Sequence, residues 1–237
     1  MPAGMADTVP EYLSIDGFDV PFVVRRNARA RAISIRIDHA ARCVVLVLPR
    51  RASLRSGLRF VDEKSPWIAK RIGMLPEPVA LADGAVVPFL GEPHMLRHVA
   101  EAPRRVAVVD GEIRSGGPAD LFAPRIGRWM RAEARRAIEP RAERHATAIG
   151  AKIARISIRD TRSRWGSASA DGRLSFSWRL VLAPEWVLDY VVAHEVAHLR
   201  EMHHGPAFWR LVDRLVGDAA PAKRWLRAHG TDLYRYG

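Results

Sequence analysis

Residues 191–209 read VVAHEVAHLREMHHGPAFW and hold four of the chain's nine histidines, His194, His198, His203 and His204. His194 and His198 are four apart, so on a helix their imidazoles share one face. Glu195 follows the first and points toward the same side. This is the H-E-x-x-H arrangement, in which two neutral imidazoles bind Zn²⁺ and the carboxylate takes a proton from zinc-bound water, whose pKa falls toward ~7. Glu195 would serve as general base and then as acid toward the leaving group. A catalytic zinc keeps three protein ligands and one open position. The third donor has to come from further along, where Gly205-Pro206 stops the helix and the chain can turn back. His203 and His204 both qualify, and spacing alone does not choose between them. The competing reading is a pair of hydrogen-bonded core histidines with Glu195 as their partner.

The elements that must position these residues are legible in outline. Pro184 opens a helix, WVLDYVVAHEVAHL, that is apolar nearly all round and therefore belongs in a core. A buried face is an expensive place for two histidines and a glutamate unless something satisfies them. After Gly205-Pro206, AFWRLVDRLVG is a further helix, and 221–229 a last short one. Before Pro184, IARISIRD (153–160) and RLSFSWRLVL (173–182) read as strands, with a turn at Asp171-Gly172. A helix is expected up to about 149, with Pro124 near its start and a kink or split at Pro140. Arg125, Arg128, Arg131, Arg135, Arg141 and Arg144 recur along it at helical spacing, as a solvated face or a face toward an anionic partner.

SGGPAD (115–120) reads as the linker, which places a β-rich N-terminal region over 10–115 and the metal-binding catalytic domain over 119–237. In the first, Ile33, Ile35 and Ile37 alternate with polar residues, and the turn DHAAR leads to CVVLVLP in a hairpin. A helix over about 53–73 follows, with Ser53 as N-cap. Short strands occupy 76–115, with turns at Asp83-Gly84, Gly91 and Asp110-Gly111.

The composition narrows the setting. With 48% apolar residues the chain can bury a core. No run approaches the ~20 apolar residues of a membrane span, the first residues do not read as a signal peptide, and Cys43 is a lone cysteine. A cytoplasmic protein is expected. The 38 basic against 26 acidic residues give a formal charge of +12, which favours an anionic partner. Arginine so outnumbers lysine in this Ala-, Arg- and Gly-rich chain that coding bias explains much of it.

Residues 161–209, through Arg164-Trp165-Gly166-Ser167, Trp178-Arg179-Leu180 and Asp189 to Leu199, resemble the YgjP-like metallopeptidase family, related to the SprT-like and WLM zincins. The resemblance is weaker over 20–160. It implies an α+β fold, a zincin-like metallopeptidase core behind the β-rich N-terminal region. It further implies zinc held by His194, His198 and His204, with His204 matching the family's histidine four positions before the Phe of F-W. Three departures stand out: Ala168 replaces a cysteine, Val196 a leucine, and His203 an asparagine. In zincins an edge strand above the metal helix pairs with an extended peptide, and 173–178 is the expected strand here. Trp165, Phe208 and Trp209 are expected in the core, and Arg164 is expected to tie its turn to a carboxylate such as Asp189.

The expected function is a zinc-dependent hydrolase of the metallopeptidase type acting on polypeptide, with Glu195 as general base. Two others compete: a metal-dependent nucleotide or phosphoanhydride hydrolase, and a basic nucleic-acid-binding protein with a structural zinc. Other divalent ions also suit a histidine site.

Overall fold

The run CVVLVLP has too many consecutive apolar residues for a strand with one wet face, and it lies inside a sheet with nearly every side chain buried. The computed structural model describes residues 9–15, 17–39, 41–161 and 164–237. The fold is α+β, divided into two compact units, Met1–Glu77 and Pro78–Gly237.

The first unit is β-rich. Strands β1 (Tyr12–Ile15), β2 (Phe18–Asn27), β3 (Ser34–Asp38) and β4 (Cys43–Pro49) form one sheet in the order β1-β2-β4-β3. The expected hairpin is β3–β4, with Ile35 opposite Leu46 and Ile37 opposite Val44, while β2 and β4 run parallel. Val44, Leu46 and Leu48 share a core with Leu54, Val61 and Ile68. These last come from α1 (Leu54–Glu63) and α2 (Ser65–Gly73), two helices where the sequence suggests one. Ser53 does cap the first, its side chain accepting from Ser56 N. The break falls at Lys64 because Pro66 has no N–H to give and its ring crowds the carbonyl of residue 62.

In the second unit, β5 (Val86–Phe89), β6 (Glu92–His98), β7 (Ala107–Val109) and β8 (Glu112–Ser115) form a sheet in the order β5-β6-β8-β7. Its two tight turns, Leu90-Gly91 and Asp110-Gly111, have positive φ at both residues, the geometry that suits a two-residue hairpin. Val87, Leu96 and Ile113 are fully buried in the same core as the helices that follow. SGGPAD is accordingly no slack tether. A methyl group on Gly116 would fall within contact distance of the Ala102 carbonyl and 2.8 Å from that of Val99. Gly117 has φ +83°, and Arg125 Nη1 donates to Gly116 O at 2.5 Å.

Helix α3 (Phe122–Ala148) presents Ile126, Met130, Ala134, Ile138 and Ala142 to this core, all fully buried at four-residue spacing. It is not split at Pro140: both Pro140 and Arg136, whose carbonyl loses its helical donor there, are exposed residues. The arginine row is largely engaged within the chain. Arg131 reaches Asp160, Arg135 pairs with Glu139, Arg141 donates to Glu185 at 2.6 Å and Arg144 to Asp189 at 2.8 Å.

Strands β9 (Arg155–Arg159), β10 (Gly166–Ala168) and β11 (Arg173–Ser177) make a third sheet, ordered β10-β11-β9. The expected strand over 173–182 stops at Ser177, whose hydroxyl accepts from Arg179 N and starts a fully buried 3₁₀ turn, Trp178–Leu182. Then come α4 (Glu185–Ala197), α5 (Pro206–Val216) and α6 (Ala220–His229), with a further 3₁₀ turn over Gly230–Arg235. No helix among the described residues is long and apolar enough to cross a membrane.

The close approach at Gly116 gives a direct test of whether 115–120 is a packed corner. Gly116→Ala is expected to cost about 1–3 kcal/mol and to lower Tm by roughly 3–10 °C. An unchanged Tm in differential scanning calorimetry would mean the segment yields freely.

Candidate metal centre

Helix α4 is a core element first. Val187, Leu188, Val192, Ala193, Val196 and Ala197 are fully buried, and Tyr190 and Val191 nearly so. Asp189 clamps it to α3, accepting from Arg144 Nη2 at 2.8 Å and hydrogen-bonded to His145 Nε2 at 2.9 Å. Burial works against the Asp189 carboxylate, but the His145 hydrogen bond and the arginine charges outweigh it and hold its pKa below the ordinary value.

The helix does not run to Gly205. It ends at Ala197 with His198 as C-cap, and Leu199, Arg200 and Glu201 tighten into a turn on the carbonyls of Val196 and Ala197. Arg200 holds this turn by donating to the carbonyls of Ile149 and Gly150 at the end of α3. The early stop gives the chain room to come back. Gly205 N donates to His203 O at 2.7 Å, and the bend delivers His204 to the side of His194.

Ring nitrogens of His194, His198 and His204 all lie within 4.8 Å of one another. His194 Nε2 and His204 Nε2 are 3.1 Å apart. Two imidazole lone pairs aimed at each other at that distance repel, and a proton or a cation between them removes the repulsion. His198 Nδ1 is 3.0 Å from Glu201 O; a carbonyl only accepts, so Nδ1 carries the proton and Nε2 keeps its lone pair. His203 is exposed and is not among the converging nitrogens. The Phe208 ring stands against all three, 4.9, 4.5 and 4.7 Å from His194, His198 and His204. Phe208 is fully buried, whereas Trp209 is half-buried beside His194 and His204 with Lys223 Nζ 3.6 Å over its ring.

Burial keeps two of the donors neutral. Burial, helped by the charges of His198 and His204, lowers the His194 pKa to about 4, and burial lowers that of His198. Glu195 is 7% exposed, and burial raises its pKa to about 7, with Arg164 pulling the other way. Beside it, burial and the Glu195 charge push Tyr190 up to about 12. Three imidazoles sharing one locus, with the His198 lone pair available at Nε2, form a donor set that suits zinc and leaves a fourth position open.

Two sequence expectations need correction. Arg164 does not tie its turn to Asp189, which the α3 side chains already occupy; it is exposed and acts electrostatically on Glu195. Nor is 173–178 an edge strand. β11 pairs with β10 on one side and β9 on the other, so the outer strand beside the centre is β10. In the sequence Gly166 of β10 stands out only as part of the Arg164-Trp165-Gly166-Ser167 motif. A methyl group there would sit 2.5 Å from Glu195 Cγ and 2.6 Å from Oε1, so the missing side chain is what lets the strand lie against the carboxyl. Trp165 is half-buried and stacks on Tyr234 at 5.0 Å.

A family model described as YgjP-like, metallopeptidase domain, matches residues 31–229. Among solved structures, the metallopeptidase zymogen of Pyrococcus abyssi abylysin is similar at 23% identity, covering 42% of this chain and 97% of that one, with a TM-score of 0.36. No curated protein matches this chain.

In the metal-free protein Glu195 binds its proton near pH 7 when folded, against an ordinary 4.5. The folded state then holds more protons than the unfolded one between those values, so stability falls as pH rises through that window. His194 has the opposite sign, losing stability as pH falls from 6.5 toward 4, and both proteins compared here share it. Metal-free Glu195→Gln should nearly match the parent in Tm at pH 5. At pH 8 it should be the more stable by roughly 2–3 kcal/mol. The same Tm difference at both pH values would mean the carboxylate is solvated.

Proposed function

The chain belongs to the YgjP-like metallopeptidase domain family, and on that premise we propose that it is a zinc-dependent peptide hydrolase, with His194, His198 and His204 as ligands and Glu195 as general base. The observation that carries this reading is the convergence of the three histidine nitrogens within 4.8 Å, with the buried Glu195 on the same helix. Zinc bound by these three histidines would supply Lewis acidity and bring the pKa of water there toward ~7.

The protein's own residues do the rest. His198 is oriented by the Glu201 carbonyl, and His194 and His204 are packed by Phe208. Glu195, with its pKa near 7, is poised to accept a proton at a carboxyl oxygen during attack on the peptide carbonyl and to return it to the leaving amine. An extended peptide can lie along the outer edge of β10, binding through its backbone with little regard to side chains. Gly166 keeps that strand close to Glu195.

The phosphoanhydride reading rests on the arginine excess. It loses ground on α3, where Arg135, Arg141 and Arg144 are already paired with carboxylates.

Two measurements test the proposal. Metal content by mass spectrometry should give about one zinc per chain, lost in His194→Ala and His204→Ala and kept in His203→Ala. Retention in His204→Ala with loss in His203→Ala would move the third ligand by one residue. Glu195→Gln should keep the zinc while peptide turnover falls by at least roughly 10²–10⁴-fold. Full turnover in that variant sinks the mechanism, and release of phosphate from nucleoside triphosphates that depends on Glu195, with no peptide cleaved, replaces the substrate class.

A further inference from the structure

The arginines of the first unit behave differently from those of α3. Residues 25–31 and 50–55 contain Arg25, Arg26, Arg29, Arg31, Arg50, Arg51 and Arg55, and no acid. All seven are exposed. Arg26 Nη1 donates to Ala52 O at 2.9 Å, which links the two segments. The other six side chains make no hydrogen bond or ion pair among the described residues.

Topology brings the two segments to one place. β2 and β4 are parallel neighbours with Arg26 opposite Leu48 and Asn27 opposite Pro49, so both chains leave the sheet at the same end. Each turns at once: Ala30 N donates to Asn27 O at 3.1 Å and Ala52 N to Pro49 O at 3.2 Å. Adjacent strands lie about 4.8 Å apart. Unneutralised guanidinium groups therefore crowd one corner of the unit and raise its positive potential.

We propose that this corner, formed by the strand-end turns 25–31 and 50–55, is a nucleic-acid-binding surface that contacts phosphates without reading sequence. Arginine's planar fork matches phosphate oxygens two at a time. Between the arginines stand alanine, asparagine, serine and a buried Leu54, with Pro49 at the margin. With no aromatic side chain there, bases have nothing to stack on, which confines the contacts to the backbone. With no large exposed apolar side chain, nothing inserts into a bilayer. The surface lies wholly within the first unit and does not depend on the metal-centre reading.

The test is binding of the full chain to a fluorescent DNA duplex of mixed sequence at several salt concentrations. Engagement of about four to five phosphates predicts a log–log slope near −4, an affinity loss of roughly 150–500-fold between 50 and 200 mM salt. The quadruple variant Arg29→Ala, Arg31→Ala, Arg50→Ala, Arg51→Ala should flatten that slope by about 3–4. Arg135→Ala with Arg136→Ala, which removes two paired arginines of α3, should leave it unchanged. Far-ultraviolet circular dichroism and Tm confirm that each variant is folded, and the pair Arg50→Ala, Arg51→Ala, expected to flatten the slope by about 2, takes the place of the quadruple if that one does not fold. Equal weakening by the first-unit and α3 variants would reduce the effect to net charge and overturn the proposal. So would no measurable duplex binding at 50 mM salt, or arginine-dependent binding to phosphatidylserine vesicles with none to DNA.

Discussion

Everything around the candidate centre depends on burying α4. A helix apolar on all sides has no stable place except inside the second unit, where it meets α3 and the 3₁₀ turn Trp178–Leu182. That packing outweighs the burial of polar groups. Raising the Glu195 pKa from 4.5 to about 7 costs roughly 3 kcal/mol above neutral pH. One or two buried aliphatic side chains offset that, and α4 alone buries Val187, Leu188, Val191, Val192 and Val196. The core thus sustains a buried carboxyl group whose pKa lies near neutrality.

The same burial keeps His194 and His198 neutral. His194 is flanked by Tyr190 and Phe208, and the Phe208 ring touches all three histidines that converge. The turn after α4 is equally constrained, since Arg200 anchors it to the end of α3 and Glu201 lends its carbonyl to His198. A change to either anchor would act on the centre through the direction of His198 and the return of His204, without touching a donor.

The two units treat arginine in opposite ways. On α3 guanidinium groups are structural, closing ion pairs within the helix and across to Glu185 and Asp189. At the strand ends of the first unit they face solvent without a carboxylate partner among the described residues, and only Arg26 makes a hydrogen bond, to the Ala52 carbonyl. Net charge alone could not separate these uses, because it counts residues and takes no account of which carboxylates lie near them.

The sequence by itself determined the local matters. The H-E-x-x-H spacing, the all-round apolar helix after Pro184, the β3–β4 hairpin and the positive-φ turns at Gly91 and Asp110-Gly111 follow from short-range periodicity and steric limits, and they are present as read. The resemblance to a family singled out His204 where spacing could not. Tertiary structure decided what depends on neighbours distant in the chain. It ended α4 at Ala197 through contacts with the end of α3, and it left β11 in the middle of its sheet by pairing it with both β9 and β10. It made Gly116 a packed corner through its approach to the Ala102 carbonyl, and it claimed Asp189 for Arg144 and His145 in place of Arg164. Each outcome is a competition for one hydrogen bond or one packing site, and the winner is a residue whose distance along the chain says nothing about its distance in space.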